Sequence, residues 1–166
     1  MIVFQSKRLN YRVWTTDDLS AGIKLWGSHQ VMKFIEPELN EAQVMKSIEN
    51  GKKHYDEYGT QHFAMVTKDN NQIIGACDFG VEEEEPLVVE FVIHIMDEFW
   101  HKGYGFEAGQ ATLEFVESLK PSKIIAACHV QNVASKNLLL KLGFDYKGQV
   151  WFEDTQRFED YFERLK

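Results

Sequence analysis

The chain has 166 residues, of which 44% are hydrophobic, so it is long enough to bury one sizeable core. Its 18 Lys and Arg stand against 26 Asp and Glu, and the net charge of -8 repels a phosphate backbone, which argues against nucleic acid as a partner. No stretch is apolar over the length that a bilayer requires. We therefore expect one domain over residues 1–166, a cytoplasmic location and no membrane partner.

The two cysteines, Cys77 and Cys128, each lie inside an apolar, strand-like run. Neither has the spacing to a second ligand that a metal site requires, and a reactive thiol needs an electropositive, partly exposed setting. We interpret both as buried structural thiols and expect no bound metal. Four histidines also lack a ligand arrangement and are interpreted as structural or surface residues: His29, His54, His62 and His129.

The first part of the chain predicts a strand followed by helices. Residues 9–14 alternate well enough for a half-buried strand. Residues 15–18 supply N-cap chemistry for a helix that continues to about residue 26. A shorter helical piece follows at residues 31–34, and after a proline break a longer amphipathic helix covers residues 40–59.

A hairpin and a long central strand come next. Residues 62–67 and 72–79 are predicted to be antiparallel strands joined by a tight turn. The acidic run at residues 82–85, closed by Pro86, is interpreted as a solvated turn. Residues 88–96 then form a strand rich in β-branched apolar residues.

The last part predicts two helices and three strands. An amphipathic helix comes first, and residues 123–130 form a strand. A shorter helix covers residues 132–142, with Gly143 as its C-cap, and residues 144–152 and 156–162 close the chain as an antiparallel pair. The first of these helices is predicted to face the core with one stripe: Phe106, Gly109, Leu113, Val116 and Leu119.

The order of these elements is strand, two helices, three strands, helix, strand, helix and two strands. Strands separated by a helix are predicted to be parallel neighbours and the others antiparallel, which gives a mixed sheet covered by helices on both faces. A doubly wound Rossmann sheet fits poorly, because the strand at residues 123–130 carries no acidic residue. Four aromatic side chains are also expected in the core: Trp14, Trp26, Phe34 and Trp151.

Residues 87–115 contain the segment around which the other elements are arranged. A strand, a glycine-punctuated turn and a helix in direct succession aim backbone N–H groups and the positive end of the helix dipole at one point. Gly103 and Gly105 let a phosphate approach without meeting a Cβ, and Lys102 adds positive charge. An ordinary tight connection has the same pattern, so the turn alone leaves both alternatives open.

A set of motifs spread over nearly the whole chain gives it a family resemblance. In chain order they are Ser6-Lys7-Arg8-Leu9-Asn10-Tyr11-Arg12, Asp17-Asp18, Glu90 on the central strand, the turn Trp100-His101-Lys102-Gly103-Tyr104-Gly105, Glu107-Ala108, Asn132-Val133-Ala134-Ser135 and Lys141-Leu142-Gly143-Phe144. Each motif alone is unspecific. In this combination the chain resembles the RimJ/RimL-type branch of the GNAT superfamily of N-acetyltransferases.

The resemblance implies a GNAT fold of the α/β (α+β) class, with a mixed, mostly antiparallel central sheet of about seven strands flanked by helices on both faces. It implies acetyl-CoA as co-substrate, with the pyrophosphate on the amides of residues 102–106 and the pantetheine between the central strand and the next one. The residues that it assigns to cofactor binding are Ile93, Ile95, His101, Lys102, Gly103, Tyr104, Gly105, Phe106, Asn132 and Lys141.

Some positions depart from the pattern of the superfamily. His101 stands where Gly is common, and Asp97 stands where Pro is common. Leu140 occupies a position where Glu is frequent. These departures concern the acceptor rather than the cofactor.

Acetyl transfer to an amine requires the neutral amine, so we expect a base on the central strand. Glu90 is the candidate, with an ion-pair partner at a strand end as the alternative, and strand alternation places His94 on the same face as a reserve base. Ser135 is the candidate donor to the coenzyme A sulfur. Its alternative role is a position in the first turn of a helix that Asn132 caps. A main-chain N–H near Ile95 is the candidate oxyanion donor.

We expect a direct-transfer N-acetyltransferase whose acceptor is a primary amine. An α-amine has a pKa of ~7.7 to 8.0 against ~10.4 for lysine, so a protein N-terminus is the chemically easier acceptor. The resemblance also points to an N-terminus, such as that of a ribosomal protein. The alternatives are a small amine (a polyamine, an amino acid or an antibiotic) and a CoA-binding regulatory module without turnover. The oligomeric state stays open, with a homodimer as one possibility.

Overall fold

A computed structural model describes residues 1–59, 62–84 and 87–165, with residues 82–84 described by their backbone alone. Within these ranges the structure contains eight strands and five α-helices, and none of these helices is long and apolar enough to span a membrane. In chain order the elements are β1 (Ile2–Gln5), β2 (Leu9–Val13), α1 (Leu19–Trp26), α2 (His29–Met32), α3 (Glu41–Tyr58), β3 (Phe63–Thr67), β4 (Ile73–Glu84), β5 (Leu87–Ile95), α4 (Tyr104–Ser118), β6 (Lys123–His129), α5 (Val133–Lys141), β7 (Asp145–Phe152) and β8 (Arg157–Leu165).

Local sequence signals account for the boundaries of the first helices. The Asn40 side chain accepts a hydrogen bond from the Gln43 N–H at 2.9 Å, and Gln43 Oε1 accepts one from the Asn40 N–H at 2.8 Å, so the start of α3 carries a full capping box. Gly59 ends the same helix in the left-handed conformation, with φ at 72°. Thr15 and Asp18 form a second capping box on the 3-10 turn that leads into α1.

All eight strands lie in one sheet, in the order β1-β2-β3-β4-β5-β6-β8-β7. Every neighbouring pair is antiparallel except β5 and β6, which confirms the prediction of a mixed, mostly antiparallel sheet. The expected count of about seven strands missed β1, a four-residue strand at the edge of the sheet that pairs with β2.

The expectation that strands separated by a helix are parallel neighbours holds for one pair. Strands β5 and β6 flank α4 and are parallel. Strands β2 and β3 flank three helices but are antiparallel, and β8 lies between β6 and β7 and pairs antiparallel with both. The final hairpin therefore joins the sheet through its second strand.

Helices cover both faces of the sheet, as predicted. Helices α4 and α5 pack on one face, where Val116 and Phe79 belong to the larger hydrophobic cluster. Helices α1, α2 and α3 pack on the other face, in a cluster that includes Trp14, Trp26 and Ile48. Because residues of β5 point alternately to the two faces, this strand contributes to both layers.

Three predictions about individual positions are wrong. Leu119 lies just beyond the end of α4 and is 42% exposed, so it is not part of the core stripe. Trp151 is also 42% exposed, because β7 is the last strand of the sheet and lacks a covering helix. Residues 82–84 continue β4 instead of forming a turn, while residues 85–86 of the acidic run lie outside the described residues.

Helices α4 and α5 approach closely at Gly109. A Cβ on this residue would lie 2.9 Å from Leu142 Cδ2 and closer still to Cδ1. We predict that Gly109→Ala lowers the free energy of unfolding by ~1–3 kcal/mol, the usual cost of overpacking. Chemical denaturation measures this loss, and Glu114→Ala, on the exposed face of the same helix, is the matched control.

The double variant Gly109→Ala/Leu142→Ala tests the cause. If the clash with Leu142 is responsible, the double variant is more stable than the sum of the two single losses predicts. Strict additivity of the two losses would contradict this packing argument.

Candidate functional site

Strands β5 and β6 are paired for only a short distance. Their register joins Val88 to Lys123, Val89 to Ile124 and Glu90 to Ile125. Beyond Glu90, β5 continues to Ile95 and stays paired with β4, while β6 stays paired with β8. The two strands therefore part after Glu90 and leave a gap in the sheet, which we call the splay.

The main chain of β5 presents polar groups to the splay. The Met96 N–H donates to the Ile74 carbonyl on β4, so alternation directs the N–H and C=O groups of Ile93 and Ile95 to the opposite side, toward β6. The Trp100 indole N–H donates to the Ile95 carbonyl at 2.7 Å, in agreement with this direction. Ile93 thus offers both groups and Ile95 offers its N–H to a molecule in the splay.

The turn before α4 lies at the wide end of the splay. Gly103 is the N-cap of α4 with φ at 78°, in the left-handed region that glycine adopts without strain. His101 is also left-handed, with φ at 59°. A residue with a Cβ pays for this conformation, which explains why glycine is common at this position in the resembled family. His101 thus adopts at this position the left-handed conformation that favours glycine.

Positive charge is concentrated around this turn although the chain as a whole carries -8. The guanidinium carbon of Arg8 lies 4.1 Å from the centroid of the Tyr104 ring. Lys102 Nζ lies 5.2 Å from the Phe99 ring, and Lys141 Nζ lies 4.3 Å from the Phe106 ring. These cations and the N-terminus of α4 together make the turn a favourable place for an anion.

A cleft of about 430 Å³ runs along the splay from this turn to the start of α5. Seven of the ten residues predicted to bind the cofactor line it: Ile93, Ile95, His101, Gly103, Tyr104, Gly105 and Asn132. The other three, Lys102, Phe106 and Lys141, are not among its lining residues, although Lys141 lies over the Phe106 ring.

A second hollow, the cavity, has a volume of about 400 Å³ and lies on the face of the sheet that α1, α2 and α3 cover. Glu90 and His94 line it, as predicted from their shared face of β5. The cleft and the cavity meet at a common set of residues: Phe34, Ile35, Ile93, His94, Asn132, Ser135 and Leu138. A molecule in the cleft can therefore present one end to a molecule in the cavity.

Ser135 lies at this junction in the first turn of α5. Its N–H donates to Asn132 Oδ1 at 3.1 Å, so the predicted helix cap is present and uses the side-chain oxygen of Asn132. Burial raises the pKa of Cys128 to about 11, and a hydrogen bond from Ser135 opposes that rise only in part. Burial likewise raises the pKa of Cys77 to about 12. Both cysteines are buried thiols, as predicted.

His94 accepts a hydrogen bond on one ring nitrogen and has a lowered pKa. The Trp26 indole N–H donates to His94 Nδ1 at 3.3 Å, so the proton of the neutral ring is on Nε2. Burial, with a smaller contribution from nearby His62, lowers the pKa of His94 to about 3. Both observations argue against His94 as the reserve base.

Sequence reasoning missed two contributors to the wall of the cavity. His62, which was interpreted as a structural or surface residue, lines the cavity. Its Nδ1 atom lies 3.0 Å from Asp78 Oδ2, but the geometry does not suit a hydrogen bond. Arg157 donates to the carbonyls of Phe34 and Ile35 at 3.0 and 2.9 Å and pairs with Glu159 at 2.7 Å. The Arg157 side chain thus links Phe34 and Ile35, which follow α2, to strand β8 by hydrogen bonds.

No sequence signal identified these two residues as part of the cavity wall, and the partners of Arg157 lie more than 120 residues away along the chain. Four carboxylates line the cavity: Glu36, Glu90, Asp154 and Glu159. No group of His, Cys, Asp and Glu side chains in the described ranges has the geometry of a metal site.

The site fits the cofactor that the resemblance implies. The splay supplies a free strand edge for an amide-bearing chain, and the turn supplies glycine backbone and positive charge for phosphates. A Cβ on Gly105 would lie 3.4 Å from Leu138 and 3.5 Å from Ile95, so larger side chains there would narrow the cleft.

Comparison with known proteins agrees with the geometry. A sequence model described as an acetyltransferase (GNAT) domain matches residues 8–145. An uncharacterized N-acetyltransferase, p20 from Bacillus licheniformis, is 25% identical over 151 residues, which cover 89% of this chain and 85% of that protein.

Solved structures share the fold over nearly the full chain. A GNAT-family acetyltransferase from Bacillus anthracis superimposes with a TM-score of 0.85 and 24% identity, covering 99% of this chain and 98% of that one. RimL, a ribosomal L7/L12 alpha-N-protein acetyltransferase in complex with coenzyme A, has a TM-score of 0.82 at 14% identity and covers 99% and 98% of the two chains. At these identities the likeness concerns the fold.

The lowered pKa of His94, a half-buried residue, predicts a pH dependence of stability. The unfolded chain takes up a proton on this residue below pH ~6.5, whereas the folded chain does so only near pH 3, so its contribution to stability is lost as the pH falls between these values. His94→Asn should reduce the slope of the unfolding free energy over this range by up to ~1.4 kcal/mol per pH unit.

Urea denaturation between pH 6.5 and pH 4 measures the slope. His101→Asn, which removes an exposed imidazole, is the matched control. An unchanged slope in His94→Asn would show that His94 is protonated in the folded protein.

Proposed function

The chain belongs to the acetyltransferase (GNAT) family, and we propose that it transfers the acetyl group of acetyl-CoA to the nitrogen of a primary amine. One observation carries the proposal: the cleft beside the anion-binding turn and the carboxylate-lined cavity meet at Ser135 and His94. A thioester carried along the splay would reach this junction from one side, and an amine would reach it from the other.

The cofactor would be held by main-chain groups. The N–H and C=O of Ile93 and the N–H of Ile95 suit the amides of pantetheine, and the turn at residues 102–106 suits the pyrophosphate. Acetyl-CoA supplies a thioester carbonyl and a thiolate leaving group. His94 Nε2–H and the Ile95 N–H are the candidate donors to the carbonyl oxygen as it gains charge. Ser135 is the candidate donor to the leaving sulfur.

Glu90 is the proposed base. It forms the last pair between β5 and β6 before the splay, and its side chain lines the cavity. The carboxylate can accept the amine proton directly or through a water molecule. The state of the His94 ring supports this assignment. Its Nδ1 accepts from Trp26, its proton is on Nε2 and its pKa is lowered, so the ring is a poor acceptor of a second proton near neutral pH.

We propose direct transfer without a covalent acetyl-enzyme. A nucleophilic cysteine must be available as thiolate, yet burial holds the pKa of Cys128, which lines the cavity, at about 11. Cys77 is fully buried in the sheet. Both reactants would therefore have to be bound together before the acetyl group moves.

The proposed acceptor is a protein N-terminal α-amine. Its pKa lies ~2.5 units below that of lysine, so one carboxylate is a sufficient base at neutral pH. The name of RimL, whose fold is shared, describes the same type of acceptor. A small cationic amine is the second candidate, favoured by the four carboxylates that line the cavity.

A panel of acceptors tests the function. Purified protein is mixed with acetyl-CoA and with peptides that have a free N-terminus, matched N-formyl peptides, free lysine and polyamines. We predict release of free thiol with the free-N-terminal peptides and at least tenfold less with the blocked peptides. Turnover restricted to small amines would select the second candidate. Saturable acetyl-CoA binding without turnover of any acceptor would indicate a regulatory module instead.

Replacing Glu90 tests the mechanism. We predict that Glu90→Gln lowers kcat/KM at pH 7 by ~10²-fold or more, with a smaller deficit at higher pH, because the acceptor then loses its proton without help. Steady-state kinetics from pH 6.5 to pH 9 with the best acceptor provide the measurement. Glu114→Gln, on the exposed face of α4, is the charge-matched control. An unchanged pH–rate profile in Glu90→Gln would remove this residue from the mechanism.

A further inference from the structure

We propose that Arg8, which lies beside Gly103 at the edge of the cleft without lining it, binds a phosphate of the cofactor and that Glu107 and Ser6 position it there. The inference rests on the proposed function, because acetyl-CoA provides the phosphates. Arg8 immediately precedes β2, almost a hundred residues before the turn, so the sequence pattern of the turn does not reveal it.

The contacts of Arg8 fix its guanidinium group at the turn. Nε donates to Glu107 Oε2 at 2.6 Å, Nη1 donates to the Lys102 carbonyl at 3.1 Å, and the group lies 4.1 Å above the Tyr104 ring. These three contacts restrain both the position and the plane of the guanidinium. Far less conformational entropy is therefore lost on ligand binding than with a free side chain.

One nitrogen of the guanidinium group, Nη2, is available to a ligand. Among the described residues, Nη2 has no hydrogen-bond partner, and it lies 3.5 Å from the position that a Cβ on Gly103 would occupy. The Arg8 side chain keeps 41% of its exposure. Nη2 therefore projects into the space beside the N-cap of α4, where the backbone of the turn is bare and the helix dipole also favours an anion.

Glu107 holds the arginine from the first turns of α4. Its Oε1 accepts from the Arg8 N–H at 2.6 Å and from the Ser6 hydroxyl at 2.7 Å, while Oε2 accepts from Arg8 Nε. Burial opposes ionisation of this carboxyl, but these hydrogen bonds outweigh burial and lower its pKa below the ordinary value. The Glu107 carboxylate thus holds Ser6 and Arg8, which precede β2, in fixed positions.

Arg8 is better placed than the lysines near the turn. Lys102 and Lys141 touch aromatic rings, and both are exposed. Neither ammonium group has a hydrogen-bond partner among the described residues. The chain has a net charge of -8, so a phosphate group binds best to a cation that is held in place. Of Arg8, Lys102 and Lys141, only the side chain of Arg8 is anchored by hydrogen bonds.

Three ligands distinguish phosphate binding from a structural role. Calorimetric titration of Arg8→Gln with acetyl-CoA should show a Kd raised about tenfold or more, the loss expected for one charge-assisted hydrogen bond. Binding of acetyl-pantetheine, which has no nucleotide, should be unchanged. With acetyl-3′-dephospho-CoA, the same tenfold loss would assign the contact to the pyrophosphate, and no loss would assign it to the 3′-phosphate.

Further variants keep the test decisive. Arg8→Lys retains the charge without the fork and should lose less affinity than Arg8→Gln. Glu107→Gln should weaken acetyl-CoA binding a few-fold and spare acetyl-pantetheine, since it acts through Arg8. Lys52→Gln removes one positive charge from the exposed surface of α3 and is the control. Thermal melting of each variant establishes that it is folded.

Two results would overturn the inference. An unchanged Kd for acetyl-CoA in Arg8→Gln would show that Nη2 meets no phosphate, and an equal loss for acetyl-CoA and acetyl-pantetheine would show a structural role alone. Either result would leave the proposed function intact if the wild-type protein binds acetyl-CoA. Failure of the wild-type protein to bind acetyl-CoA would refute both proposals.

Discussion

Strands β5 and β6 share three residue pairs and then part, because each stays paired with its other neighbour to the end. The exposed edge of β5 leaves the N–H and C=O of Ile93 without a strand partner on that side, which would be unfavourable inside a closed sheet. A ligand with amide groups can satisfy them. The cleft and the cavity share lining residues at this gap, among them Ile93 and Ser135.

The turn before α4 complements this gap, and its shape depends on backbone conformation more than on residue type. Gly103 and His101 are both left-handed. The Trp100 indole N–H donates to the Ile95 carbonyl. The segment before β2 is bound to α4 through the hydrogen bond from the Arg8 N–H to Glu107. The turn is thus supported from the strand on one side and from the first residues of the chain on the other.

Local signals in the sequence were sufficient for most elements, whereas the residues assigned to cofactor binding came from the family resemblance, and seven of those ten line the cleft. The cap at Asn40, the turn at Gly103 and the alternation along β5 each depend on neighbouring residues, and so they could be predicted. The insertion of β8 between β6 and β7 could not, because it depends on long-range pairing. The same limit hid Arg157 and the tautomer of His94, whose partners come from distant strands and helices.

The most direct test is a crystal structure of the protein with coenzyme A bound. The account predicts the diphosphate on the backbone amides of residues 103–106, the pantetheine along Ile93 and Ile95 in the splay, and the sulfur at the junction beside Ser135. Phosphates bound away from that turn, or a pantetheine outside the splay, would contradict it.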